Sequence, residues 1–258
     1  GVTILSAPPQ PGKPLTKLAI DEATVRVALL PLLFGDKDAS FSATALGGKV
    51  SGVYEQGSDD SIDVVVDSID LARVAPISDL LGVPIAGKLS GTAQLTFPEG
   101  KVSKASGSIS IEVRDVAVGD AKAKIQGTIA LPKVDVGVLT IAAEAKDGVL
   151  KISKLVAGGR DVSVQGDGRV AMRDDATDSL LDVGVRFRIN DAYRTKSDLT
   201  KSLFGAPGST VPGLFELADP RIKESKRADG SYGWTVRGSL GHPEFVPAGG
   251  PSSSAIRP

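Results

Sequence analysis

The sequence predicts a mainly β fold: a long antiparallel meander forming a curved, twisted sheet, a groove or half-barrel, with a few short helices. Three observations predict it. Apolar and polar residues alternate at period two along much of the 258 residues, 30 glycines punctuate the alternation, and helical periodicity is scarce. Successive side chains of a strand point to opposite faces, so this alternation gives each strand one oily and one wet side.

Taken in chain order, Ala7-Pro8-Pro9-Gln10-Pro11-Gly12 reads as linker, and residues 1–14 are assigned to it. Leu29 to Phe34 suits one turn of helix. Ile62, Val64 and Val66 between Asp63 and Asp67 mark the first clear strand. Ala72 to Leu81 has helical spacing that Pro76 interrupts and Gly82 and Pro84 end. Ser108 to Arg114, Val149 to Val156, Val162 to Gln165 and Leu181 to Ile189 repeat the strand pattern. Ser197 is placed to cap a helix running to Phe204. Gly47-Gly48-Lys49, Glu99-Gly100-Lys101, Asp147-Gly148, Gly158-Gly159-Arg160 and Asp229-Gly230 supply the residues that turns with positive φ need. About a dozen strands follow, most joined to their sequence neighbours, in one β domain over 15–246. A Pro-, Gly- and Ser-rich tail over 247–258 is expected to be disordered. The echo of Gly48-Lys49-Val50-Ser51-Gly52 in Gly87-Lys88-Leu89-Ser90-Gly91 fits two strands that each enter after a turn.

A meander with one oily face and few helices must close into a barrel, fold over as a sandwich, or leave a groove. Val64, Val66, Ile109, Ile111, Val113, Ile152, Val183, Val185 and Phe187 are the side chains expected to line that groove, where they would suit acyl chains.

Catalytic chemistry is hard to assemble from these residues. The chain has no Cys and one His, His242, bracketed by Gly241 and Pro243; no nucleophile elbow, zinc-protease helix or phosphate loop is present. Gly166-Asp167-Gly168 lies within strand pattern and reads as a bulge or turn. Asp59-Asp60 and Asp174-Asp175 could form a carboxylate couple or bind a hard cation, but they lack calcium-loop spacing and fit solvated turns between strands. No catalytic residue, metal site or cofactor is therefore assigned. A net charge of −1 and 4% aromatic content argue against nucleic acid. Charge is uneven, however: Asp36 to Asp70 holds eight acids and two bases, whereas Arg221 to Gly238 holds five bases and two acids. The longest apolar run, Val27 to Phe34, is eight residues and contains Pro31, against the roughly 20 that span a bilayer. With Gly1-Val2-Thr3 at its start, the chain reads as an excised portion whose upstream residues were removed.

The stretch from Ile69 to Gly91, IDLARVAPISDLLGVPIAGKLSG, resembles the GspN family, type II secretion system protein N. Gly119 to Lys124, Val185 to Ile189, and Asp229 to Trp234 with Gly241 to Phe245 fit the same family, so the resemblance spans roughly residues 50 to 246. More distantly the chain is similar to AsmA-like β-groove proteins. The resemblance implies a non-enzymatic periplasmic domain, anchored to the inner membrane by an N-terminal transmembrane helix that this chain lacks. It also implies contact with other secretion-system envelope proteins. The AsmA-like similarity implies the rival role of lipid binding or transfer. Neither brings catalytic residues to carry over.

Overall fold

A computed structural model of the chain describes residues 2–6, 16–27, 37–74, 84–120, 124–125, 129–130, 132–209 and 211–249. Strands dominate it, as the alternation predicts. They run β1 (Val2–Ser6), β2 (Thr16–Val27), β3 (Lys37–Ala45), β4 (Gly48–Gln56), β5 (Asp59–Asp70), β6 (Ile85–Pro98) and β7 (Ser106–Val118). After a small hairpin of β8 (Lys124–Ile125) and β9 (Ile129–Ala130) come β10 (Val134–Lys146), β11 (Val149–Gly158), β12 (Val162–Ala171), β13 (Leu180–Ile189), β14 (Tyr232–Ser239) and β15 (His242–Pro247). Apart from that hairpin, the strands form one 13-stranded antiparallel sheet in sequence order, with β7 beside β10. β1 and β15 stand at opposite edges, so among the described residues the sheet is open rather than closed. The meander is as expected; the closed alternatives are not adopted.

Tight turns enforce this order. Leu46 and Gly47 between β3 and β4, Glu99 and Gly100 after β6, and Asp147 and Gly148 between β10 and β11 all have positive φ, the geometry of two-residue turns whose twist matches the strands they join. Gly148 has no room for a side chain, because a Cβ there would collide with the Ser103 carbonyl. Near the opposite strand ends, β5, β7 and β10 carry bulges at Ser68, Asp115 and Gly137, again with positive φ. An inserted residue bends a strand and strengthens its twist, so these bulges curve the sheet locally.

Among the described residues, the α-helices are short and lie in the connection between β13 and β14: α1 (Asp191–Arg194), α2 (Asp198–Phe204), α3 (Leu214–Ala218) and α4 (Pro220–Ser225). Ser197 caps α2 as predicted: its hydroxyl accepts the Thr200 N–H at 3.1 Å, and the Thr200 hydroxyl accepts the Ser197 N–H at 2.9 Å. Asp219 caps α4 by accepting the Arg221 N–H at 2.9 Å, with Pro220 in the first turn. Of the helix expected over Ala72 to Leu81, Leu71–Arg73 forms a 3-10 turn capped by Asp70, and residues 75–81 lie outside the described residues. The helical turn expected over Leu29 to Phe34 lies outside them too, as do residues 7–14 of the linker and 250–258 of the tail. Within the stretch read as linker, Val2–Ser6 pairs with β2 as β1. At the start of the tail, Pro247 ends β15 and the Ala248 N–H donates to the Gly233 carbonyl at 2.8 Å.

The packed core sits at one end of the strands. Val134, Val162, Ile189, Tyr193, Leu203, Phe204 and Tyr232 form one buried cluster under the helices; Leu71, Val113 and Val116 form a second beneath the 3-10 turn. Half-buried Val136 packs against both. Aromatic residues are few in the chain yet concentrate here: Tyr193, Phe204, Phe215, Tyr232 and Phe187 make a continuous series with centroids 5.2 to 5.7 Å apart. Tilted and edge-on rings at such distances add to what their buried area contributes.

Candidate functional site: the apolar face of the sheet

Antiparallel register fixes which side chains share a face, because directly paired residues point the same way. Starting from Phe41, the pairs run Gly52, Val64, Ala93, Ile109, Ala143, Ile152, Gly168, Val183, Val236 and Phe245, one residue from each of eleven strands. Every one is apolar or glycine. Two positions along each strand, allowing for a bulge on β11, lies a parallel row containing Val50, Val66, Ile111, Ile141, Leu155, Val185 and Trp234. A further row contains Leu89, Val113, Leu139, Val164, Phe187 and Tyr232. All nine predicted groove residues therefore fall on one face, in three adjacent rows.

The opposite face has another chemistry. Asp63, Gln94, Ser108, Glu144, Lys151, Arg169, Asp182, Arg237 and Glu244 form a polar row there across nine strands, which continues onto β4 and β3 through Val53 and Ser40. Arg169 and Arg237 both reach Asp182, at 3.5 and 3.9 Å, and Arg186 and Arg188 reach Asp229, at 3.9 and 3.3 Å. Exposed pairs of this kind contribute little stability; what they do is keep this side wet.

Cover over the apolar face is partial. The row ending in Phe187 and Tyr232 lies beneath the helical cap at that end and beneath Leu71 and Val74 near its middle. Beyond it, Val64, Val66, Ile109, Ile152, Val185 and Trp234 are only half-buried, and no second sheet among the described residues packs over them. Glycines deepen this floor. Gly166 and Gly168 of β12 face the same side, and the Leu155 side chain lies within van der Waals reach of the missing Cβ of Gly166. The first row thus forms a strip of small and branched side chains, with a phenylalanine at each end, that extends across eleven strands, about 48 Å at ordinary strand spacing.

The cap is tied down by polar groups that sequence patterns did not mark. Asp161, 1% exposed, accepts the Asp135 N–H at 2.9 Å and the Lys196 ammonium at 3.0 Å. The Tyr193 hydroxyl donates to the Pro132 carbonyl at 2.6 Å, and Asn190 donates its amide to the carbonyls of Gly159 and Arg160. Burial alone would raise the Asp161 carboxyl, but the Asp135 amide and the Lys196 ammonium outweigh it and hold the group below the ordinary carboxylate range. A depressed folded-state pKa contributes stability that is present above the unfolded-state value and is lost as pH falls through the folded one. Melting temperature is therefore expected to fall as pH drops below about 4, and Asp161→Asn should flatten that dependence while lowering the plateau near neutral pH. Thermal melts of both proteins across pH measure this; parallel curves would show that Asp161 does not carry the dependence.

The acidic pairs singled out as candidate chemistry serve local structure instead. Asp59 and Asp60 open β5 rather than lying between strands, and Asp60 accepts the Tyr54 hydroxyl at 2.7 Å. Asp174 accepts the Ser103 N–H at 2.9 Å, and Asp175 caps the 3-10 turn Ala176–Asp178 by accepting the Thr177 N–H at 2.9 Å. Those bonds lower both carboxyls, by way of Ser103 and Thr177 respectively. Among the described residues no group of three or more His, Asp or Glu is placed to hold a metal ion. His242 begins β15, and Gly166-Asp167-Gly168 lies inside β12. Also among the described residues, no helix is long and apolar enough to cross a membrane.

Comparison with protein-family models, with curated proteins and with solved structures returns no match.

Proposed function

We propose that this chain is a non-enzymatic binding module whose apolar sheet face holds the acyl chains of lipids. One observation carries the reading: an unbroken apolar row across eleven strands whose members, apart from buried Ala143 and Val183 and exposed Phe245, are half-buried among the described residues. Soluble proteins rarely leave a contiguous apolar surface of this size without a ligand or partner for it. The floor has no ordered set of donors and acceptors, so it selects chain-like apolar ligands by shape and leaves a headgroup at the rim or in solvent.

The only Trp in the chain, Trp234, stands on this face opposite Val185. A brominated fatty acid entering the groove is therefore expected to quench Trp234 fluorescence saturably, and an unbrominated acid should reverse the quenching by competition. Absence of saturable quenching would exclude acyl binding beside β14.

The resemblance to the GspN family supports a second reading: a periplasmic domain anchored to the inner membrane by an upstream helix, accessory to type II protein secretion and acting by contact with other envelope proteins. The β15 edge favours contact through the outer face over strand addition. Because Ala248 donates inward to Gly233, the N–H groups of alternate residues Pro243, Phe245 and Pro247 would point outward, and proline leaves only that of Phe245. Such an edge offers an incoming strand little to pair with. Photo-crosslinking from outer-face positions such as Arg169 in cells tests this reading: capture of a secretion component supports it, and its absence along the whole face contradicts it.

A further inference from the structure

We propose that the outer side of the helical cap is a docking surface for an anionic lipid bilayer. α3 is turned inside out relative to an ordinary surface helix. Its glutamate, Glu216, is 6% exposed and accepts from the Lys226 ammonium at 2.7 Å and the Tyr232 hydroxyl at 2.9 Å. Leu214 and Leu217 face outward at 51% and 64% exposure. Val211 just before the helix is 72% exposed, and Leu199 on the neighbouring α2 is 49% exposed. A buried carboxylate paired with exposed leucines is the informative combination, since each runs against the usual sorting of side chains.

Charge selects the occupant. From Arg186 to Arg237 the chain carries ten Lys and Arg against six Asp and Glu, a balance of +4, whereas Asp36 to Asp70 carries −6. Because sheet order follows chain order, β4 and β14 stand eight strand spacings apart, about 38 Å along the sheet. The molecule is thus dipolar, and its exposed leucines sit at the basic end. Lys201 on α2 and Arg221 on the neighbouring α4 keep half or more of their side chains in solvent, each beside an aspartate, Asp198 and Asp219. An anionic bilayer attracts that end, repels the acidic one, and accepts leucine side chains between its headgroups. This surface is separate from the groove and does not depend on the groove holding lipid.

Flotation of the full chain with phosphatidylcholine vesicles, with and without admixed phosphatidylglycerol, tests the assignment. Wild-type protein is expected to float only with the phosphatidylglycerol vesicles and to be released by salt. The double variant L214S/L217S should lose affinity by roughly tenfold or more while keeping its melting temperature and its Trp234 quenching by brominated fatty acid. Quenching lost in both proteins with flotation retained would overturn the groove and leave the docking surface standing. Wild type failing to float, or the variant floating equally, would overturn the docking surface. So would a concentration-dependent dimer of the wild type that forms without vesicles and disappears in the variant, because it would assign the leucines to a second copy of the chain.

Discussion

Replacing Tyr232 with alanine is expected to destabilise the protein by about 3–5 kcal/mol. The side chain is 0% exposed, stacks on Phe187 at 5.3 Å and meets the edge of Phe215 at 5.7 Å. Its removal opens a cavity between the sheet and the cap. It also takes away the hydroxyl that donates to buried Glu216, leaving Lys226 as that carboxylate's remaining charged partner. Tyr232→Phe separates the two contributions: it keeps the ring and costs about 1–2 kcal/mol for the lost hydrogen bond to the Glu216 carboxylate, which Lys226 still holds. Urea unfolding followed by circular dichroism gives both values. A loss below about 1 kcal/mol for the alanine variant would mean that the cap is not fastened to β14 through this side chain.

A second large effect is expected on the apolar face, and it discriminates an open groove from a closed core. Ile109 lies mid-row between Ala93 and Ala143 and is half-buried. Ile109→Glu should reduce acyl-chain affinity by about a hundredfold, because an ionised carboxylate would have to be desolvated against the ligand. Stability should fall by only about 1–2 kcal/mol, since the glutamate can reach water from an uncovered floor. In a closed core the same substitution would bury an unpaired charge and cost more than about 4 kcal/mol. Trp234 quenching reads the first quantity and urea unfolding the second. A large loss of stability would place Ile109 in a sealed interior.

Most of the sheet was legible in the sequence because period-two alternation and positive-φ turn residues are local signals. Ser108 to Arg114 and Leu181 to Ile189 show their facing in their own residues, and Asp147-Gly148 shows its turn. The nine groove residues could be placed on one side for the same reason. Three features were not legible. Openness depends on whether distant strands meet, which no local pattern records. The bulges at Ser68 and Asp115 put non-glycine residues at positive φ, where composition gives no warning. The cap anchors join residues far apart in the chain, Asp161 to Lys196 and Glu216 to Tyr232; a charged residue inside an apolar stretch, as in Leu214-Phe215-Glu216-Leu217, was the one sequence signal available for the second. Asp59 and Asp60 open β5 although two adjacent acids are the composition of a turn, because the alternation that marks the strand begins only after them.

Native mass spectrometry of the protein extracted gently from membranes tests the central claim most directly. The account predicts bound species with the masses of acyl lipids, present on the wild type and lost from the Ile109→Glu variant at unchanged protein fold. A wild-type spectrum showing only the bare polypeptide under conditions that preserve non-covalent lipid complexes would contradict it.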